Sequence, residues 1–594
     1  MASPDKKKPR IENSVPRGDL KLPYPLHHSL YDQLQTLSSD YSKSAPFQHG
    51  HIPNSFLEEG VLENVRNEII QNVKANFKES DLFRVYQSID LGNLPPVSND
   101  DTDSAAFSDE MLSLASKMPT LMSLKAALFS QEFRFFVEKL CGISPGSLTN
   151  EVDCAANCHD TGCHLLCHDD VIGTRKVSFI LYLTDPEWTD SDGGMLELYE
   201  SSEGEKPAAG EKNEIACGAV PAPIPVKTIP PTFNSFVWFV VKPGESFHSV
   251  QQVFGNKPRL SLQGWFHSDS IPEHSQNATL QRLKSSEKGE DTEGNYVPFK
   301  EKVGAYDIDN IVDSKDVLSE SDRLLLSSFI NDTYLTDDSI KTIRAQFEED
   351  SSVQLRHFIN DNVANIIYSS ASLLDNKDNL GNGKSSAEYG AGINNQWHIA
   401  GPAHKQRFLE YRGTDVSSDS CGAALNNVHL NLFQSAAFAR YLQLLTSLDE
   451  AQGHRGRVRR FRPGLDYTVA HYGILTKTPV LDATLCFVAG KGNQCLHDDE
   501  TGEIVGSDED ALWSSGDVGG FECYIEADEE SQEADAEYDA EDDTELLSVS
   551  PSNNTLSLVY RDPGTMRFIK YLSSFAPSSR WDISVEYDVT CENH

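Results

Sequence analysis

Residues 154–185 read CAANCHDTGCHLLCHDDVIGTRKVSFILYLTD, and two readings of them compete. Cys154, Cys158, Cys163 and Cys167 suggest a structural zinc site. Their intervals of three, four and three residues differ from the paired C-x2-C spacing usual for such sites. The second reading starts from His168-Asp169-Asp170, just before the β-forming run VSFILYLTD. On a strand, residues i and i+2 face the same side, so His168 and Asp170 can address one ion. The third ligand is then expected on a later strand, where His248 lies in KPGESFHSV. Two imidazoles and one carboxylate on one face of an octahedral ion leave three positions open, the arrangement of non-haem Fe(II) oxygenases. The other His-x-Asp stretches, His267-Ser268-Asp269 and His497-Asp498-Asp499, lack a suitable downstream histidine. His274 is too near the first, and only His594 follows the second.

A 2-oxo acid would fill two of the open positions and O2 the third. The far carboxylate of 2-oxoglutarate then needs a fixed cation. Arg259 follows His248 at the start of the next β-rich run, RLSLQGWFHS. A planar guanidinium holds a carboxylate bidentately. Ser261 shares the face of Arg259, and Tyr182 can donate to the same carboxylate. No catalytic side chain is assigned beyond the metal ligands.

Around this segment, residues 148–267 form short β-rich runs separated by Gly, Pro and Asp, a pattern of jelly rolls and barrels. Upstream, 54–92 and 109–140 have apolar residues at helical spacing and are predicted to be helices. Residues 1–45 are predicted to be a disordered tail, with Lys6, Lys7, Lys8 and Arg10 as a basic cluster that reads as a nuclear import signal or a solvated tail. The first domain spans 46–270 and a polar linker 271–325. The pattern then restarts over 326–594. LDATLCFVAG echoes VSFILYLTD, GGFECYIEAD echoes GGMLELYESS, DPGTMRF echoes KPGESFH, and Arg580 falls near the place of Arg259. Ordered echoes indicate two copies of one domain. The second copy carries an acidic loop, 526–547, which reads as a solvated insertion or a docking site for a basic partner. The fold class is mainly β with flanking helices (α+β), as two tandem double-stranded β-helix domains, the second degenerate.

The 594 residues carry 91 acidic and 50 basic side chains, a net charge of −41. That balance argues against nucleic acid as the main partner, because phosphate backbones need clustered Lys and Arg. No apolar run reaches membrane-spanning length, and the N-terminus lacks the apolar core of a signal peptide. Eleven cysteines, an odd and modest count, read as reduced thiols of an intracellular protein.

LCHDDVIGTRKVSFILYLTDPEW, KPGESFHSV and NKPRLSLQGWFH closely resemble the 2-oxoglutarate- and iron-dependent prolyl hydroxylases that act on the decoding-centre protein of the small ribosomal subunit. The resemblance covers roughly 45–594. It implies iron ligation by His168, Asp170 and His248, and 2-oxoglutarate binding by Arg259 with help from Tyr182. It also implies O2 as oxidant, ascorbate as reductant, and a prolyl residue of that ribosomal protein as substrate. Members are tied to translation termination and, in fungi, to oxygen-dependent control of a transcription regulator. The expected location is nucleus and cytoplasm. In the second copy His471 stands where His168 stood, Gly473 replaces Asp170 and Phe568 replaces His248, so iron is not expected there. Two other readings are a regulatory protein that sequesters a partner through its second domain, and a nucleic-acid demethylase using the same iron chemistry.

Overall fold

The computed structural model describes residues 21–95, 107–202, 219–275, 278–285, 295–299, 318–381, 387–414, 420–489, 495–497, 504–507, 512–527 and 545–589. The first half builds β1 (His49–Ile52), β2 (Ala75–Glu79), β3 (Phe83–Asp90), β4 (Leu148–His159), β5 (His164–His168), β6 (Arg175–Tyr182), β7 (Leu196–Leu198), β8 (Ser201–Ser202), β9 (Val220–Pro221), β10 (Lys227–Ile229), β11 (Phe236–Val240), β12 (His248–Val250) and β13 (Arg259–Ser268). The second builds β14 (Ser352–Arg356), β15 (Trp397–Ala400), β16 (Gln406–Tyr411), β17 (His454–Phe461), β18 (Tyr467–Thr468), β19 (Val480–Phe487), β20 (Cys495–His497), β21 (Ile504–Ser507), β22 (Glu522–Glu526), β23 (Glu545–Val549), β24 (Thr555–Arg561), β25 (Thr565–Ile569) and β26 (Arg580–Asp588).

In the first half the strands run β1-β11-β6-β13-β4-β3-β5-β12-β7-β10. Alternation along them separates two cores. One face, with Val177, Phe179, Leu181, Phe236, Trp238, Leu260 and Leu262, packs against helices Val61–Asn72, Pro119–Leu128 and Gln131–Cys141. The opposite face, with Ile180, Tyr182, Val237 and Phe239, meets Leu196, Leu198 and Ile229 across the barrel interior. The second half repeats the strand order as β14-β24-β19-β26-β17-β16. Among the described residues no helix is long and apolar enough to cross a membrane.

Several expectations are corrected. Residues 21–45 are not a disordered tail: Leu22, Leu26, Leu30, Leu34 and Tyr41 are buried in the first core, and Leu34–Lys43 is a helix. Residues 1–20, with the basic cluster, lie outside the described residues. The 54–92 helix is confined to Val61–Asn72, followed by the β2–β3 hairpin. Its exposed Phe77 and Tyr86 pair across the strands, with ring centroids 5.1 Å apart. The 109–140 helix is three helices, broken where Pro119 starts the second and Ser130 caps the third. The 271–325 segment is more than a linker. It contains helices at Thr279–Ser285 and from Glu320, and Leu283 is buried with Leu166, Tyr467, Val469 and Tyr571 between the halves. Most of the acidic loop, 528–544, lies outside the described residues.

Candidate metal and cosubstrate site

His168 ends β5 and His248 begins β12, and antiparallel pairing sets them directly opposite each other. Their rings lie 4.2 Å apart. Asp170 joins them by a different route from the strand alternation expected. The strand ends at His168, and Asp170 has a φ of 62°. This left-handed turn carries its carboxylate between the imidazoles. Asp170 Oδ1 lies 3.2 Å from His168 Nε2, and Oδ2 lies 3.4 Å from His248 Nε2.

The tautomers follow from the backbone. His168 Nδ1 donates to Leu166 O and His248 Nδ1 to Ser246 O, both at 2.8 Å. Each Nε2 is then left with its lone pair toward the centre, as metal-binding imidazoles require. Ser178 Oγ and Trp265 Nε1 both donate to Asp170 Oδ2, at 3.0 and 3.2 Å. Burial alone would raise the Asp170 carboxyl, but the positive charge that His248 and His168 carry when protonated outweighs it and holds the carboxyl well below the usual range. The donor atoms of the three residues lie within 4.8 Å of one another, so they can share one ion. Among the described residues the only other such group is His27, His28 and Glu58 at the surface.

Deeper in the barrel, Arg259 is 1% exposed. Its Nε donates to Gly194 O at 2.7 Å and Nη2 to the Tyr182 hydroxyl at 3.3 Å. No described carboxylate forms an ion pair with it. Burial pushes its pKa down, as expected of a buried cation without a counter-ion. Around it, Ser261 Oγ, Asn157 Oδ1 and both nitrogens of His159 are buried without hydrogen-bond partners. Burial and Arg259 keep His159 neutral. Buried polar atoms are normally paired. Of this set, the Ser261 hydroxyl and the N–H of neutral His159 are donors that, with Arg259, fit a bound carboxylate ligand, whereas Asn157 Oδ1 can only accept and its amide already donates to Gln263 at 3.0 Å.

Sequence reading missed His159, Asn157, Ser178 and Trp265. His159 and Asn157 stand opposite Arg259 and Ser261 in the β4–β13 register, and their own i, i+2 spacing was the available signal. The cysteines do not converge as a zinc set. Cys154 packs in the helix-facing core, Cys167 with Tyr199, Phe247 and Ala403, and all four thiols are pushed up by burial. His267 pairs with Asp153 at 3.1 Å.

In the second barrel, pairing of β18 with β16 mirrors that of β5 with β3 and sets Tyr467–Thr468 at the places of His164–Leu165. Counting onward, His471 falls at the place of His168 and Gly473 at that of Asp170. The assignment of Phe568 is corrected. Leu198, five residues after Gly193, faces His248. Tyr524, five after Gly519, faces Arg567. Arg567 therefore occupies the third ligand position. Its guanidinium pairs with Glu522 and, at 3.1 Å, with Asp482. Arg561 bridges Asp482 and Glu586 at 2.8 and 2.5 Å, so this barrel centre is filled by ion pairs.

A family model described as the 2OG-Fe(II) oxygenase superfamily matches residues 154–267. A second, described as the oxoglutarate and iron-dependent oxygenase degradation C-terminal domain, matches 321–594. The chain is 34% identical over 572 residues to prolyl 3,4-dihydroxylase OGFOD1 of Ostreococcus tauri, covering 94% of this chain and 98% of that one. The chain belongs to the OGFOD1 prolyl hydroxylase family. It is 28% identical to prolyl 3-hydroxylase OGFOD1 of Xenopus laevis, covering 89% and 84% of the two chains. A solved Pseudomonas putida prolyl-4-hydroxylase covers 40% of this chain and 99% of its own, at 18% identity and a TM-score of 0.23. As an OGFOD1-family member, the chain is a prolyl hydroxylase dependent on Fe(II), 2-oxoglutarate and O2.

Proposed function

We propose that His168, Asp170 and His248 hold the ferrous ion, and that Arg259, Tyr182 and Ser261 hold the far carboxylate of 2-oxoglutarate. The prolyl substrate belongs to a small-subunit ribosomal protein. The observation that carries this reading is the buried Arg259 without a carboxylate partner among the described residues, beside the Ser261 hydroxyl and His159 ring nitrogens that lack hydrogen-bond partners. The ion, when bound, supplies the redox chemistry by which O2 and 2-oxoglutarate become succinate and CO2 with one oxygen inserted into a prolyl C–H bond. The chain's own contribution is positional. Arg259 fixes one end of the cosubstrate, and the Tyr182 proton is free to donate to the same carboxylate. Ser178 and Trp265 fix the Asp170 carboxylate. Ile180, Val237, Phe239 and Leu198 give the cavity dry walls, which strengthen each of these contacts.

The same reading includes ascorbate as reductant, a bearing on translation termination and on an oxygen-responsive regulator, and residence in nucleus and cytoplasm. A net charge of −41 suits a basic protein substrate better than nucleic acid. The test is incubation with Fe(II), 2-oxoglutarate and either the ribosomal protein or its proline peptides, read by mass spectrometry. A gain of one or two oxygen atoms on a prolyl residue is expected. Succinate formation that no ribosomal protein stimulates would overturn the substrate assignment.

A further inference from the structure

Strand alternation gives the metal-bearing sheet two faces. His168, His248 and Leu198 point inward; Cys167, Phe247, Ser249, Glu197 and Tyr199 point outward. The outward face does not meet solvent. Cys167, Tyr199 and Phe247 pack with Ala403 of the second barrel, and the Phe247 ring stacks on His404 at 5.9 Å.

A hydrogen-bond chain runs through the same contact. Arg407 of the second barrel is 3% exposed. Its Nη1 donates to the Tyr199 hydroxyl at 3.3 Å, and Tyr199 lies 3.0 Å from Ser249 Oγ. Ser249 donates to Glu197 Oε2 at 2.7 Å, so the Tyr199 proton goes to Ser249. The other oxygen of Glu197 accepts from Tyr389, also of the second barrel, at 2.7 Å. Every donor and acceptor role in the chain is thereby fixed. Arg407 is itself anchored by Leu465 O at 2.7 Å and flanked by the rings of Tyr389 and Tyr467. Ser249 is the residue after His248, and Glu197 stands opposite it on β7.

We propose that Arg407 and Tyr389 are positioning residues for the metal centre: the second barrel acts as the rigid back wall that holds the His248 strand in register. The proposal rests on the metal assignment made above. It gives the second barrel a part in the chemistry without a metal of its own. Buried charge-assisted hydrogen bonds are the strong ones, and outer-shell partners of ligating histidines set metal affinity by about 10- to 100-fold. Arg407 and Tyr389 act one residue further out, through Ser249.

The experiment uses the full chain. Tyr389→Phe removes one hydroxyl and preserves the ring; Arg407→Lys keeps the charge and loses the fork. Lys570→Met is the control, because Lys570 bridges the same two halves through Glu79 at 3.4 Å, a contact made to β2 rather than to β5, β7 or β12. Anaerobic Fe(II) titration and the KM for 2-oxoglutarate are measured on each, with thermal unfolding alongside. Tyr389→Phe is expected to raise the Fe(II) dissociation constant about tenfold, with unfolding temperature and KM for 2-oxoglutarate near wild type. Arg407→Lys should weaken Fe(II) binding at least as much, and Lys570→Met should leave it unchanged. Wild-type affinity in both Tyr389→Phe and Arg407→Lys, or equal weakening in Lys570→Met, would overturn the positioning role. Failure of the wild-type chain to bind Fe(II) would overturn the metal assignment itself, a separate result.

Discussion

The place of Arg259 was legible because its signal is short-range: it follows a histidine and starts a strand. Tyr182 and Ser261 beside it were legible too, but the rest of its surroundings was not. His159 and Asn157 reach the cavity only through the β4–β13 register, which depends on turns and bulges far from either residue. Asp170 was found by an argument that does not describe it, since a left-handed turn rather than strand alternation brings it to the histidines. Two predictions belong to this scale. Arg259→Ala leaves the cosubstrate carboxylate buried without a cation, a loss of about 3–5 kcal/mol. The KM for 2-oxoglutarate should rise roughly 100-fold or more, with Arg259→Lys a partial rescue; an unchanged KM in both would remove Arg259 from the site. Trp265→Phe takes one donor from Asp170 and keeps the ring beneath Arg175, whose guanidinium lies 3.6 Å from it. Fe(II) binding should weaken about tenfold, checked by anaerobic titration, with the KM for 2-oxoglutarate little changed.

Elements were read well where patterning was dense and poorly where it was sparse. The long β-rich runs became strands, whereas the widely spaced apolar residues of 21–45 hid a packed segment. The Phe568 assignment missed by one position, and in a strand one position exchanges the two faces. The neighbour it should have named, Arg567, changes how the second barrel is held together. Its core is charged: Glu522 meets Arg567 and Arg580, and Glu586 meets Arg455 and Arg561. Arg567→Met should therefore cost about 3–5 kcal/mol, because Asp482 and Glu522 lose a buried partner; denaturant unfolding of the variant would show it, and an unchanged midpoint would contradict it. The same lattice sets a pH limit. Burial raises a carboxyl, yet Arg567 and Arg580 outweigh it and hold Glu522 at about 2, against 4.5 unfolded. A depressed folded pKa gives stability that is complete above pH 4.5 and lost as pH falls toward 2. For Glu522 that is roughly 3 kcal/mol. Unfolding monitored in steps from pH 6 to pH 2.5 should show the folded chain weakening below about pH 4.5, and a flat profile there would mean the lattice does not stabilise the fold.

At the scale of the molecule, the repeat was visible as ordered echoes, but the way its copies meet was not. Periodicity says which face of a strand is apolar and nothing of what covers it. In the structure the copies share buried clusters: Leu166 and Leu283 with Tyr467, Val469 and Tyr571, and Cys167, Tyr199 and Phe247 with Ala403. Gln252 of the first barrel also donates to Ser573 at 2.8 Å and accepts from the Ser574 amide at 2.9 Å. Two units that complete each other's core cannot open independently without exposing it. The protein should therefore unfold in one calorimetric transition. A ligand that binds only the folded first barrel should then stabilise the whole chain, by about 2.7 kcal/mol at one hundred times its dissociation constant. Fe(II) with 2-oxoglutarate under anaerobic conditions serves as that ligand. Hydrogen exchange gives the spatial check, because β17, β19 and β26 lie in the barrel assigned no metal. Ligand should slow exchange in those strands at the sites that open only by global unfolding, to the same extent as in β6 and β13. Two transitions, with only the lower or only the upper one moved by ligand, would show that the shared clusters do not join the barrels into one cooperative unit.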